Sequence, residues 1–122
     1  MEVLLQRSPG YHNYLYMSLL IKIEDFKGEV IAECNDHQGF LKDVLEYCYN
    51  NATKVSNLKY IDLYDDTAFN SLQVKDLISD IEFIKLQSQL MNKEKLEFLS
   101  SLIDLCNEVL KEPHQYLKFY GD

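Results

Sequence analysis

The chain predicts an α+β domain: a mainly antiparallel sheet in the order β-β-α-β-α-α-β, with a helical hairpin packed on one face. Apolar residues alternate with period two near both ends of the chain, which is the mark of strands with one face buried. Between them, apolar residues recur at helical spacing in three long stretches. Short polar breaks separate the segments, leaving no internal linker, repeat or low-complexity tract, so helices on one face of a sheet are the simplest packing. At 122 residues the chain is the size of one domain with one core.

The first residues, 1–12, passing through Ser8-Pro9-Gly10, read as a loose tail. From Tyr14 a strand begins, with Leu15, Met17, Leu19, Ile21 and Ile23 on one side. Tyr14, Tyr16, Ser18, Lys22 and Glu24 take the other side, Leu20 being the exception. Asp25-Phe26-Lys27-Gly28 reads as a turn into a second strand over Glu29 to Cys34, so the pair forms a β-hairpin. Phe40, Leu41, Val44, Leu45 and Cys48 predict a helix over 38–51, and Leu58 to Tyr64 reads as a third strand with Ile61 and Leu63 facing in.

The next boundary is the best marked. Asn70 is a good N-cap, and Gln73 stands where its side chain can reach back to the cap backbone. Phe69 before the cap and Val74 four residues after it are in register for a hydrophobic staple. The helix so started runs to about Leu90, with Val74, Leu77, Ile78, Ile81, Ile84 and Leu86 as its apolar side. Asn92 repeats the cap, Leu96, Leu99, Ile103, Cys106 and Leu110 follow in step, and Pro113 ends the helix. With only Met91 and Asn92 between them, the two helices should form an antiparallel hairpin. His114 to Tyr120 alternates once more and reads as the last strand.

The charge bears on function. Twenty acids against 12 bases give a net charge of −8, which argues against nucleic-acid binding by phosphate neutralisation and suits a basic partner met by electrostatic steering. The N-terminus has neither a basic start nor a long apolar region, so no signal peptide is expected, and the Leu15 to Ile23 run is too short to span a bilayer. Cys34, Cys48 and Cys106 are odd in number, make no CxxC pair and sit among apolar residues; buried thiols in a reducing cytoplasm are expected.

No catalytic constellation stands out. His12, His37 and His114 are scattered, no nucleophile elbow is present, and Gly10, Gly28, Gly39 and Gly121 form no phosphate loop. No cofactor, metal ion or catalytic residue is therefore assigned, and an enzyme is not expected. Asp62, Asp65 and Asp66 lie close together and could hold a hard cation as in a small metal-dependent hydrolase, but no EF-hand spacing accompanies them. They also precede a helix N-terminus, where negative charge is favoured and local turns are common. Nine tyrosines and no tryptophan are more telling. Tyr64, Tyr116 and Tyr120 fall on strand faces opposite the core or at strand ends, as do Tyr14, Tyr16 and Tyr60. Beside acids they would suit a protein interface, with Asp76, Asp80 and Glu82 on one helix and Asp104 and Glu108 on the next extending the acidity. The same aromatic face could instead pair the chain with itself in a structural subunit.

Two stretches carry a resemblance. "YIDLYDDTAFNSLQVKDLISDIE" (Tyr60 to Glu82) and the terminal "YLKFYGD" (Tyr116 to Asp122) resemble small bacterial immunity proteins of polymorphic toxin systems, including contact-dependent growth inhibition. Their pattern runs close to I-D-x-Y-x-D-T-x-F-N-x-x-Q, then a helix, then Y-L-K-F-x-G-D. Ile61, Asp62, Tyr64, Asp66, Thr67, Phe69, Asn70 and Gln73 fill the first part; Leu117, Lys118, Phe119, Gly121 and Asp122 fill the second. Asp65 stands where a glycine is usual. The match covers the C-terminal half and extends to the N-terminal hairpin by outline. It implies a cytoplasmic binding protein that neutralises the C-terminal domain of a cognate toxin, most plausibly a nuclease, by covering its working surface. It carries over no catalytic residue.

Overall fold

The structure, a computed structural model, describes residues 19–36, 38–50, 57–87 and 89–121. Expectations for the tail over 1–12 and for the start of the first strand at Tyr14 to Ser18 lie outside these residues. The elements are β1 (Leu20–Asp25), β2 (Val30–Asn35), α1 (Phe40–Asn50), β3 (Thr67–Phe69), α2 (Ser71–Lys85), α3 (Lys93–Lys111) and β4 (Gln115–Tyr120). The fold is α+β in the order the sequence predicts. Its four strands are antiparallel in the spatial order β2-β1-β4-β3, so the last strand lies inside the sheet.

Alternation decides which face is buried. Ile21 and Ile23 of β1 sit level with Phe119 and Leu117 of β4, and all four are fully buried. The helices cover that face. Leu41, Val44, Leu45 and Cys48 of α1, Val74, Leu77, Ile81 and Ile84 of α2, and Leu99, Leu102, Cys106 and Val109 of α3 join it in one core. Phe69 of β3 meets Phe119 edge-on, with centroids 5.8 Å apart. On the opposite face lie Lys22, Glu24, Tyr116, Lys118 and Tyr120. Free thiols at Cys48 and Cys106 are buried and that of Cys34 half-buried; burial pushes them up, to about 11 at Cys34 and Cys48 and about 12 at Cys106, so they stay protonated.

Side-chain oxygens set the turns and helix ends. Gly28, with φ of 84°, closes the hairpin turn, while Asp25 Oδ1 accepts the amides of Lys27 and Glu29, each at 2.9 Å. The capping box forms as the spacing predicts: Asn70 Oδ1 accepts from the Gln73 amide at 3.0 Å, and Gln73 Oε1 accepts from the Asn70 amide at 2.9 Å. Asn92 caps α3 by accepting the Lys95 amide at 2.8 Å. One cap is not evident in the spacing. Asp36 is buried and holds the start of α1, accepting from Phe40 at 2.8 Å and Leu41 at 2.8 Å.

Three details differ from the sequence reading. Leu58–Tyr60 is a turn of 3-10 helix rather than the start of a strand, and the third strand is the shorter Thr67–Phe69. The cause is distant in sequence: Asp80 Oδ2 accepts the amides of Asn57 at 2.7 Å and Leu58 at 3.1 Å, curling the chain where an extended strand would need those groups in a ladder. Helix α2 stops at Lys85 instead of Leu90, and Leu86 is 79% exposed rather than apolar lining. Gln87 ends it, donating from Nε2 to the Phe83 carbonyl at 3.0 Å and accepting the Tyr47 hydroxyl at 2.9 Å. Helix α1 starts at Phe40 rather than at residue 38.

Among the described residues no helix is long and apolar enough to cross a membrane. Replacing Asp80 by alanine strands two amides, one of them on buried Leu58, and should lower the unfolding free energy by about 1–3 kcal/mol. Asp76→Ala, at an exposed position on the same helix, should change it by less than about 0.5 kcal/mol. Urea unfolding of both variants measures the difference.

Candidate functional site

The two motif segments meet at one end of the sheet. Strand β3 pairs with β4 so that Thr67 faces Phe119 and Phe69 faces Leu117. One step further along that register, Asp66 comes level with Tyr120. Gly121 then continues from β4 into the bend of the 61–66 loop, its amide donating to the Asp65 carbonyl at 3.2 Å. A β-carbon at Gly121 would lie 2.6 Å from the backbone nitrogen and oxygen of Asp65 and 2.7 Å from the Leu63 carbonyl oxygen, so only glycine fits. The loop is held from within as well. The Asp62 amide donates to Thr67 Oγ1 at 3.0 Å, Asp62 Oδ1 accepts from the Tyr64 amide at 2.8 Å, and Asp65 Oδ1 accepts from the Asp66 amide at 2.8 Å.

The outcome is an exposed corner. Tyr64 is 72% exposed and stands among the exposed Asp62, Asp65 and Asp66, with Tyr120 beside them. The other residues expected at a partner surface are elsewhere. Tyr116 shares the outer sheet face with Tyr120 but lies at its far end, level with Glu24. Asp76 and Glu82 are exposed on α2, yet six residues place them about 120° apart around the helix. Asp80 is 6% exposed, tied to the Asn57 and Leu58 amides, and is thereby removed from the acidic face expected of it. Asp104 and Glu108 share a stripe on the solvent side of α3, across the core from the tyrosines, and Glu108 is paired with Lys111 at 2.6 Å. The expected single aromatic and acidic surface is therefore divided between two sides of the domain.

On the outer face, nothing in the sequence signals the role of Glu24. It alternates with buried Ile21 and Ile23, which places it on the outer face, yet it is only 5% exposed. Its Oε1 lies 3.1 Å from Lys118 Nζ, and its Oε2 accepts the Tyr120 hydroxyl. Lys22 Nζ sits 5.3 Å from the centre of the Tyr120 ring. The Tyr120 hydrogen bond foremost, then the charges of Lys118 and Lys22, hold the Glu24 carboxyl below its usual value against the upward push of burial. Its partner responds in the opposite sense: the hydrogen bond to Glu24, then burial, then the charges of Glu24 and Asp66 push the Tyr120 phenol up to about 12.

Chemically, the corner offers an aromatic ring and carboxylates to a cationic side chain. Asp62 and Asp65 each turn one oxygen onto a backbone amide of their own loop, and among the described residues no three His, Cys, Asp or Glu side chains group as a metal site would need. An open depression of about 500 Å³ lies at the other end of the face, bounded by Asp25 to Gly28, Ala68, Tyr116 and Lys118. Comparison with family models, with curated proteins and with solved structures finds no match to this chain.

Gly121→Ala should cost about 1–3 kcal/mol by overpacking against the loop backbone, with the largest NMR shift changes over 62–66. Urea unfolding and amide spectra test this. The pH dependence follows from the signs. Glu24 titrates lower folded than unfolded, so its contribution is present above the unfolded value and lost as pH falls through the folded one. Tyr120 titrates higher folded, at about 12, so its contribution is present below the ordinary value near 10 and lost as pH rises through 12. Tyr120→Phe should flatten the decline in urea midpoint between those two values.

Proposed function

We propose that this protein is an immunity protein: it binds the C-terminal domain of a cognate toxin, a nuclease, and neutralises it by covering the surface that engages nucleic acid. The observation that carries this reading is the corner itself. The two segments that resemble immunity proteins form one unit here, and the unit holds an exposed tyrosine among exposed carboxylates on a restrained loop. Restraint lowers the entropy lost on binding, and tyrosine ringed by charge suits a desolvated anchor. The net charge of −8 adds long-range attraction toward a surface built to hold phosphates. The mechanism is occlusion with electrostatic steering, and this chain performs no chemistry in it.

The test is titration of this protein into the toxin domain encoded immediately upstream, by calorimetry, with growth rescue on co-expression. Tight one-to-one binding and rescue are expected. Reversing Asp65 and Asp66 to lysine should weaken binding at least about tenfold and make it less salt-sensitive, with the melting temperature little changed. Unaltered affinity in that variant places the interface elsewhere, and no binding by the unaltered protein rules the reading out.

A further inference from the structure

The register between β1 and β4 contains a conflict. Lys22 is directly opposite Lys118, on the face that the helices leave uncovered. Like charges facing each other across antiparallel strands repel. Lys118 is level with Ala68, two residues from Asp66, and Lys22 lies against the ring of Tyr120, which is level with Asp66 one step beyond the paired residues, so both stand near the corner. Left to themselves, these ammonium groups would settle on Asp66 and cancel the corner's charge.

Neither does so. Lys118 turns the other way, to Glu24 Oε1 at 3.1 Å. Tyr120, whose backbone is opposite Leu20, sends its hydroxyl along the sheet past the lysine pair to Glu24, which is opposite Tyr116. Lys22 lies against the ring of that same tyrosine. One nearly buried carboxylate therefore draws Lys118 to itself and lays down the ring that occupies Lys22. A buried ion pair of this kind is weak evidence of a gain in stability, so its placement asks for another reason.

We infer that Glu24 is a positioning residue for the toxin-binding corner: it keeps Lys118, and through Tyr120 also Lys22, away from Asp65 and Asp66, so that these carboxylates remain available to a cationic side chain of the partner. The inference rests on the immunity reading and deepens it. It also names the partner group, an arginine or lysine that takes the place Lys118 is denied.

The experiment compares four proteins by calorimetry against the upstream-encoded toxin domain: the unaltered chain, Glu24→Gln, Glu24→Leu, and Glu24→Leu combined with Lys118→Met. Melting temperatures are recorded alongside. Glu24→Leu should lose about tenfold in affinity because freed Lys118 now neutralises the corner, and the double variant should recover most of it. Glu24→Gln, which still accepts the Tyr120 hydroxyl but no longer holds Lys118 by charge, should fall between and serves in place of the leucine variant if that one fails to fold. Affinity unchanged in both single variants overturns the inference while leaving the immunity reading intact. A loss that Lys118→Met does not recover also overturns it, since Glu24 would then act through the fold or by direct contact. Absence of binding by the unaltered chain overturns the reading and the inference together.

Discussion

The domain depends on its last strand being placed inside its sheet. β4 pairs with β1 on one side and β3 on the other, and it supplies two fully buried residues, Leu117 and Phe119, to the core. Without it β1 and β2 are an isolated hairpin, which is marginal in water, and β3 is three residues with nothing to pair to. The strand's end also sets the corner, because Gly121 occupies the bend of the 61–66 loop where any β-carbon would collide with backbone. Fold closure and the exposed surface are thus consequences of one insertion.

That insertion explains how a structural motif and an exposed surface come to share residues. Thr67, Phe69, Asn70 and Gln73 are occupied with pairing, core and cap. Asp62 and Asp65 brace the loop with one oxygen each. What remains facing outward from the same segment is Tyr64 with the outer carboxylate oxygens. A surface made this way is restrained because the fold needs it so, and under the proposed immunity function that restraint would lower the ordering cost of binding. The outer sheet face has the same character: Glu24, Lys118, Tyr120 and Lys22 form a network whose members are each committed to another.

Legibility in the sequence followed distance along the chain. The capping box at Asn70 and Gln73, the cap at Asn92 and the alternation in β1 and β4 were readable, because each involves residues two to four apart. Misplacement of the third strand had a long-range cause. Leu58 to Tyr64 carries a strand's pattern, but Asp80, 22 residues from Leu58, takes the amides that a ladder would need. The end of α2 depended on Gln87 reaching Tyr47, 40 residues away. For the site, the loop and its tyrosine were named from sequence, whereas the division of the acids between two faces and the burial of Asp80 required the packing. Glu24 gave no local sign at all. Its period marks it as solvated, and only the register with β4 reveals what holds it.

The most direct test of β4 as keystone is native-state hydrogen exchange across a denaturant series. If the fold depends on this strand, amides that bond β1 to β4 exchange only by global unfolding, with the same free energy and denaturant slope as the slowest amides of the α2–α3 hairpin. If β4 amides instead exchange through a lower-energy opening while β1–β2 and the helices stay protected, the strand is an appendage and not what the fold depends on.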